Sequence, residues 1–370
     1  MANYILFGGT FDPVHNGHIR IATAASLKLN ADVIFIPARS PRWKTPLTSA
    51  EHRTKMLKIA MKGTACGSSI SDFELKSTAD INYSIDTIRY FVKKYPKDKF
   101  FFVIGADQVN NFPEWKEAEE ISNLTTVVYV SRPNVKLNKQ IISTYHMQDL
   151  SFLESGEVSS SAFRAMQTLD IPMGVLEYIE KNRLYFIGKL AKYLPEKRLN
   201  HSIEVANLAL RIAKANKLEH PERYYFAGLL HDVGKTYPNN DEELLHFMKK
   251  CYPEYVKLPN FAYHQFMGAK IAHDDFLIND EIILDAIKNH CTGNKSMSDV
   301  AMVVYASDKI EPTRGFDSRW LISSCLKDYK QGFIDTLIDN KKYLLSHSKD
   351  ITNELTDACF DMYLPKGDLK

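Results

Sequence analysis

The chain has 370 residues, of which 45% are hydrophobic and 25% charged, and its formal net charge is +2. This composition is that of a globular protein, the length predicts two domains, and the absence of a Lys/Arg block argues against nucleic acid. No apolar stretch approaches the roughly 20 residues of a membrane span. The five scattered cysteines fit free thiols in a reducing cytosol. We therefore expect a cytoplasmic protein without membrane or nucleic-acid partners, of open oligomeric state.

The first half alternates between strand and helix patterns. Apolar runs predict strands at Tyr4–Phe7, Asp32–Pro37, Lys99–Ile104 and Thr125–Ser131. Helical spacing predicts helices at Ile19–Leu29, Ser49–Lys62, Ser84–Tyr95 and Pro113–Asn123. This alternation predicts an α/β domain with a parallel, Rossmann-like sheet, whose ligands bind outside the carboxyl ends of the strands.

The loop Gly8–His18 joins the first strand to the first helix and reads Gly-Gly-Thr-Phe-Asp-Pro-Val-His-Asn-Gly-His. Gly8 and Gly9 allow a tight turn and a close approach to a ligand. His15 and His18 can both lie at the helix N-terminus, where N–H dipoles favour an anion. A plain turn with solvated histidines is the alternative, and the length of the string disfavours it. The loop predicts a phosphate site.

This string resembles the signature of the nucleotidylyltransferase superfamily. The resemblance implies a nucleotide site for ATP and, for the two histidines, catalytic contacts with its phosphates. The residues that it places at ATP in this loop are Gly8, Gly9, Thr10, Phe11, His15 and His18.

Later segments of the first half carry further candidate residues. A proline-punctuated loop brings Lys44 toward the pocket, although a solvated loop would read the same way. The stretch Gly105–Gln108 ends a strand with small residues and a carboxylate, and Trp115 offers a ring for stacking. The stretch Ser159–Arg164 sets three hydroxyls and a guanidinium at a helix start. N-capping explains one serine, and the full set suits a phosphate.

Together with Asn82–Thr87, these segments resemble bacterial nicotinate mononucleotide adenylyltransferases over residues 1–185. The resemblance adds Gly105, Asp107, Ser159, Ser160, Ser161 and Arg164 to the ATP contacts. It implies that the pyridine nucleotide meets Lys44, Thr87, Trp115 and Lys116. Lys44 and Arg164 would join the histidines in catalysis, with Mg²⁺ held by the ATP phosphates. Ser161 stands where that family has threonine, and Trp43 where it has histidine.

The second half changes to helical periodicity, which predicts an all-α domain. We set the boundary to give domains 1–186 and 187–370. The predicted helices are Lys197–Asn216, Pro221–His231, Asp241–Cys251, Ala262–Phe276, Asp280–His290, Ser298–Lys309, Trp320–Tyr329 and Gly332–Leu345.

Six histidines and aspartates within or at the ends of these helices form a candidate metal set: His201, His231, Asp232, His264, His290 and Asp308. Any one of these histidines alone would be read as a core or capping residue. Imidazoles and carboxylates without thiolates suit Fe, Mn, Zn or Co. Six ligands exceed one tetrahedral site and would serve two metals about 3.5–4 Å apart.

The order of these residues resembles the HD superfamily of metal-dependent phosphohydrolases. The segments His231–Lys235, His290–Gly293 and Asp308–Arg314 resemble HD-type symmetrical diadenosine tetraphosphate hydrolases over residues 190–345. The resemblance implies two transition metals, with iron expected first, and Asp232 as the bridging ligand. Lys235 and Arg314 would clamp phosphate, Lys235 as a catalytic residue.

We therefore expect a bifunctional enzyme that makes nicotinate adenine dinucleotide from ATP and nicotinate mononucleotide, and hydrolyses a dinucleoside polyphosphate. One rival is another adenylyltransferase, such as the phosphopantetheine enzyme. Another is a helical domain that acts on a 5′-nucleotide or a guanosine alarmone, or that binds nucleotide without cleaving it. The choice between acid and amide forms of the pyridine substrate stays open.

Overall fold

A computed structural model describes residues 1–39, 45–64, 67–78, 81–130, 135–150, 159–236, 240–346 and 353–364. The chain folds as two compact units, Met1–Tyr185 and Phe186–Lys370. Among the helices of these ranges, none has both the length and the apolar character that crossing a bilayer requires.

The first unit is built on one parallel sheet. Its strands are β1 (Asn3–Gly9), β2 (Asp32–Pro37), β3 (Ser68–Ile70), β4 (Lys99–Gly105), β5 (Thr126–Val130) and β6 (Gln148–Asp149). They lie in the order β3-β2-β1-β4-β5-β6, and every pairing is parallel. The predicted doubly wound α/β architecture is confirmed. The unpredicted strands β3 and β6 are the edge strands, and they are too short for a periodic signal.

Both faces of the sheet are covered. Ile5 and Leu6 are neighbours in β1, so their side chains point to opposite faces, yet both are fully buried. The same holds for Phe35 and Ile36 in β2. Continuous apolar runs are what a parallel sheet with helices on both sides requires.

The helices of the first unit are α1 (Asn16–Leu29), α2 (Ala50–Met61), α3 (Phe73–Lys76), α4 (Ser84–Lys94), α5 (Ala106–Val109), α6 (Ala118–Leu124), α7 (Lys139–Thr144), α8 (Ser160–Arg164) and α9 (Met173–Lys181). The predicted helix Pro113–Asn123 is wrong in its first half. Residues Phe112–Glu114 form a short 3₁₀ turn, and α6 begins only after Glu117, whose φ is 55°. Trp115 between them is extended and packs its ring against Phe112, which stops the helix from continuing.

The second unit is helical throughout its described elements. These are α10 (Phe186–Leu190), α11 (Glu196–Ala215), α12 (Pro221–Leu230), α13 (Asp241–Cys251), α14 (Tyr263–Asp274), α15 (Glu281–Asn289), α16 (Asp299–Ile310), α17 (Arg319–Lys327), α18 (Tyr329–Ser346) and α19 (Glu354–Tyr363). Side-chain caps fix several helix starts: Asp280 accepts from the N–H of Ile282, and Ser298 from that of Ala301. The five helices α11, α12, α14, α15 and α16 carry or end at the predicted metal ligands.

Candidate active sites

The sheet of the first unit opens between β1 and β4 at the carboxyl ends of these strands. Their pairing stops at Leu6 and Phe102. Beyond it, β1 stays paired with β2 as far as Gly9, and β4 stays paired with β5 as far as Gly105. This is the point where the strand order changes direction, and ligands of such sheets bind there.

The loop Gly8–His18 lies at this opening. A Cβ built on Gly8 would meet no atom within 4 Å, so the backbone there is open to a ligand. Phe11 turns the other way: its φ is 50°, and its ring is buried and lies edge-on to Phe35 at 5.8 Å. Phe11 therefore anchors the loop in the core, and its ring centroid lies 5.0 Å from that of His18, with the two rings edge-to-face.

His15 and His18 lie together at the N-terminus of α1. Their ring centroids are 3.6 Å apart, and the backbone N–H of His15 donates to Nδ1 of His18 at 3.2 Å. Because Nδ1 of His18 accepts this bond, the neutral ring carries its proton on Nε2. His18 therefore has an N–H donor for an anion, beside the positive end of the helix dipole.

Three side chains bind the carbonyl groups of this loop. The donors are Arg53 Nη1 to Thr10 O at 2.8 Å, Arg164 Nη1 to Asp12 O at 2.5 Å, and Ser160 Oγ to Pro13 O at 2.8 Å. Carbonyl oxygens would repel a phosphate. With three of them held by the protein, the loop is left to present its positive groups to an anion.

The carboxylate of Asp12 holds the loop from a second direction. It accepts from the Leu47 N–H, the Thr48 hydroxyl and the Tyr185 hydroxyl, each at 2.6 Å. Asp12 is buried, as is Arg53. The sequence pattern does not reveal the roles of Asp12, Arg53 and Tyr185, because their partners are distant along the chain.

The predicted phosphate cradle at α8 is engaged with this loop. Ser159 accepts from the N–H of Ala162 at 3.0 Å and so caps the helix. Arg164 also donates to the Ser161 hydroxyl at 3.2 Å. These side chains fix the loop, and the half-exposed Arg164 lies near the opening.

Three of the four residues predicted at the pyridine nucleotide, Thr87, Trp115 and Lys116, lie within the described residues. Thr87 in α4 is buried and donates to Glu74, a partner that the sequence did not reveal, at 2.8 Å. Lys116 lies 4.4 Å from the ring centroid of Tyr83, at the start of α4.

The ring of Trp115 faces Phe102 of β4 at 6.1 Å, near the open end of that strand. Gly105 caps the start of α5, and Asp107 is exposed in its first turn. Lys44 lies outside the described residues.

In the second unit the six predicted ligands converge. Donor atoms of three linked triads lie within 4.8 Å of one another: His201, His231 and Asp232; His231, His290 and Asp308; and Asp232, His264 and His290. Five of the six residues are buried. The centre is assembled from side chains on α11, α14 and α16 and at the carboxyl ends of α12 and α15.

Three imidazoles of this centre have the same orientation. Each bonds through Nδ1 to a carbonyl three residues earlier: His231 to Gly228 O at 2.7 Å, His264 to Phe261 O at 2.6 Å, and His290 to Ile287 O at 2.8 Å. A carbonyl only accepts, so Nδ1 carries the proton and the Nε2 lone pair points inward.

These inward lone pairs require a cation. Nε2 of His264 and Nε2 of His290 are only 3.0 Å apart, and Nε2 of His231 is buried without a hydrogen-bond partner. Burial lowers the pKa of His290 to about 3, so protonation of that ring does not resolve the conflict. Converging neutral imidazoles beside two carboxylates are a donor set for a transition metal, and the residues fit such a group.

Two carboxylates complete the centre. Asp232 Oδ1 lies 3.3 Å from His264 Nε2 and 3.5 Å from His290 Nε2. Asp308 Oδ1 lies 3.5 Å from His231 Nε2 and 3.1 Å from His201 Nε2. Burial alone would raise the pKa of both carboxyl groups. The imidazoles around Asp232 and the charge of Lys309 beside Asp308 instead hold the pKa of each carboxyl well below the usual range.

His201 is oriented differently from the other imidazoles. Its Nδ1 lies 2.9 Å from Oε1 of Glu311, which is 1% exposed. Burial opposes protonation of His201, yet the bonds to Asp308 and Glu311 raise its pKa. Glu311 lies inside the predicted Asp308–Arg314 segment, but only the folded structure shows that it contacts His201.

A cavity of about 230 Å³ borders the metal ligands. Four cationic side chains line it: Arg198, Lys235, Lys309 and Arg314. A Cβ on Gly234 would lie 2.4 Å from the carbonyl oxygen of His264, so this turn needs glycine to approach α14. The cavity combines a metal-ligand wall with cations suited to phosphate.

The opened parallel sheet with its histidine loop and the helical His/Asp centre define a nucleotidyltransferase-like domain followed by an HD-type domain. In agreement, the Cytidylyltransferase-like family matches residues 6–166 and the HD domain family matches residues 198–313.

Full-length relatives cover both domains. A protein of Mycoplasma genitalium named "Probable nicotinate-nucleotide adenylyltransferase/Ap4A hydrolase" is 32% identical over 359 residues, 94% of this chain and 99% of that protein. A Mycoplasma pneumoniae protein with the same name is 30% identical and is covered completely. The chain belongs to this nicotinate-nucleotide adenylyltransferase/Ap4A hydrolase family. A "Probable nicotinate-nucleotide adenylyltransferase" of Bacillus licheniformis is 37% identical over 191 residues, 49% of this chain and 96% of that protein.

Proposed function

We propose a bifunctional enzyme. Residues 1–186 transfer AMP from ATP to nicotinate mononucleotide and release pyrophosphate. Residues 187–370 hydrolyse a nucleoside polyphosphate such as diadenosine tetraphosphate. The observation that carries this proposal is the convergence of six metal-ligand side chains in a chain whose other half holds a phosphate loop. The names of the full-length relatives support both activities.

In the first reaction a 5′-phosphate oxygen of the mononucleotide bonds to the α-phosphorus of ATP. The bond from that phosphorus to the bridging oxygen breaks, and its electron pair leaves with pyrophosphate. The attacking phosphate is already ionised, so no side-chain base is required. His15, His18 and Arg164 align the phosphates and neutralise their charge. We assign Lys44 to the same task, and Mg²⁺ enters with ATP.

In the second reaction a water oxygen bonds to a phosphorus of the polyphosphate bridge. The bond from that phosphorus to the bridging oxygen breaks, and the oxygen keeps the electron pair and leaves as part of the second nucleotide. The protons released from the water pass to solvent. His201, His231, Asp232, His264, His290 and Asp308 would hold two transition-metal ions, with iron as our first candidate. Such ions lower the pKa of water and screen phosphate charge. Lys235 and Arg314 hold the phosphate oxygens.

We place the enzyme in the cytoplasm, which the free thiols of Cys251, Cys291, Cys325 and Cys359 support.

The test uses the full chain, analysed for metals after purification. We expect nicotinate adenine dinucleotide from ATP and nicotinate mononucleotide, with the amide mononucleotide assayed alongside. With metal restored, we expect two ADP from each diadenosine tetraphosphate. If the second domain cleaved only a 5′-nucleotide or a guanosine alarmone, that compound would take the place of diadenosine tetraphosphate as its substrate. Nucleotide binding without cleavage by the metal-loaded chain would reduce that domain to a binding module.

A further inference from the structure

The four imidazoles of the metal centre have unequal outer partners. Those of His231, His264 and His290 donate from Nδ1 to neutral carbonyls three residues earlier in the chain. His201 instead meets the carboxylate of Glu311, which arrives from the turn after α16 at 2.9 Å. One imidazole of the set therefore has a buried anion behind it.

Glu311 is fixed in this position. Its Oε2 accepts from the N–H of Thr313 at 2.6 Å, and its Oε1 accepts from the Thr313 hydroxyl at 2.9 Å. An ionised carboxylate polarises an imidazole N–H more than a carbonyl does, and so makes Nε2 a stronger metal ligand.

The ligand triads separate His201 from the opposite end of the centre. His201 groups with His231 and Asp232, whereas His264 and His290 group with Asp232. Cationic side chains are present at both ends of the centre, so they do not distinguish the two ends. Lys309 and Arg314 bond to Asp308. Arg198 bonds to Asp232, and Lys235 approaches His264. The carboxylate behind His201 is the distinguishing feature.

We propose that Glu311 is a positioning residue that makes the metal position served by His201 the tighter of two unequal positions. The position at His264 and His290 is then the one that exchanges its ion. This inference rests on the dinuclear centre of the proposed function. It predicts one firmly held and one exchangeable cation per chain.

The experiment loads the full chain with Mn²⁺ alone and follows metal release to a chelator by elemental analysis. We expect two release phases of one equivalent each. Glu311→Gln keeps an acceptor for Nδ1 but removes the charge, and should weaken the tight equivalent by about 10–100-fold, the usual scale for an outer partner. The other equivalent should stay unchanged. Asp317→Asn, which removes the charge of an exposed carboxylate that pairs with Arg319, serves as the matched control and should resemble wild type.

The inference would be overturned if Glu311→Gln weakened the binding of both Mn²⁺ ions equally, or of neither. His264→Ala gives an independent check if Glu311→Gln folds poorly: it should retain one equivalent, the slowly released one. Loss of the slow equivalent in His264→Ala would also overturn it. If wild type binds fewer than two ions, the dinuclear centre of the proposed function fails instead. Thermal unfolding reports the folding of each variant, and nicotinate adenine dinucleotide synthesis reports that the first unit is intact.

Discussion

The loop of the first unit faces its ligand with N–H donors, whereas the centre of the second unit faces inward with lone pairs and carboxylates. Both sites nevertheless use one device. In the loop, Arg53, Arg164 and Ser160 hold the carbonyls. In the metal centre, helix carbonyls hold the Nδ1 protons of three imidazoles. In each site, hydrogen bonds within the protein occupy the polar groups that would repel the ligand: carbonyl oxygens in the loop and Nδ1–H groups in the metal centre. The first is therefore suited to an anion, whereas the second is suited to a cation, with cationic side chains for phosphate in the adjoining cavity.

The two sites also differ in how far apart their parts lie along the chain. The first centres on eleven consecutive residues, Gly8–His18. The second joins His201 to Asp308, 107 residues later. The loop keeps its geometry through bonds to protein side chains, whereas the dispersed centre gathers imidazole lone pairs that a metal ion would satisfy. Changes at the second site should therefore affect stability and metal content as well as activity.

The largest effect is expected for Asp232→Ala. Asp232 contacts His264 and His290 and belongs to two ligand triads, so its loss removes a shared ligand. We expect bound metal and polyphosphate hydrolysis to fall to background, a loss beyond the ~10²-fold of an outer partner. Nicotinate adenine dinucleotide synthesis should be unchanged. Elemental analysis and paired assays measure this, with the exposed Asp317→Ala as control. Hydrolysis retained without metal would refute the site.

His18→Ala should produce the next largest effect, on the other reaction alone. The ring offers an Nε2 donor at the N-terminus of α1, and loss of such a donor costs about 10²–10³-fold in turnover. The KM for the mononucleotide should change little, because we assign His18 to the ATP phosphates. Steady-state kinetics test this prediction. His52→Ala, which loses a bond to Tyr178, is the matched control. Unchanged turnover would remove His18 from the reaction.

The sequence predicted local features and missed the long-range ones. Apolar runs identified four of six strands, and the string around His15 and His18 located the loop. Asp12 lies inside that string, yet its bond to Tyr185 spans 173 residues and has no periodic signal. Glu311 likewise follows a predicted ligand, but its contact with His201 depends on how α11 packs against the turn after α16. Such pairings arise only from tertiary packing.

Tyr185→Phe tests whether the Asp12 anchor supports the loop. The variant loses one of three bonds to that carboxylate while keeping the ring that packs against Phe163. Loss of one such bond costs about 1 kcal/mol. We expect the KM for ATP to rise by several-fold and the hydrolysis of diadenosine tetraphosphate to be unaffected. Tyr178→Phe loses a comparable bond to His52 and should leave the KM for ATP unchanged. Equal KM values in the two variants would show that the anchor is only structural.

The smallest effect concerns a buried carboxyl of the first unit. Asp232 and Asp308 have low pKa values among cations, whereas burial raises the pKa of Glu74 and only the bond from Thr87 opposes this. The pKa of Glu74 in the unfolded chain is near 4.5, and above this pH the folded state binds more protons than the unfolded state. The contribution of Glu74 to the free energy of unfolding therefore falls as the pH rises. Glu74→Gln keeps an acceptor for Thr87 and cannot ionise. We expect it to be more stable than wild type at pH 7, within about 1 kcal/mol, and equal to it below pH 4.5. Urea unfolding between pH 4 and pH 8 measures the difference in the free energy of unfolding between the variant and wild type. A difference that does not vary with pH would mean that the charge of Glu74 does not destabilise the folded protein.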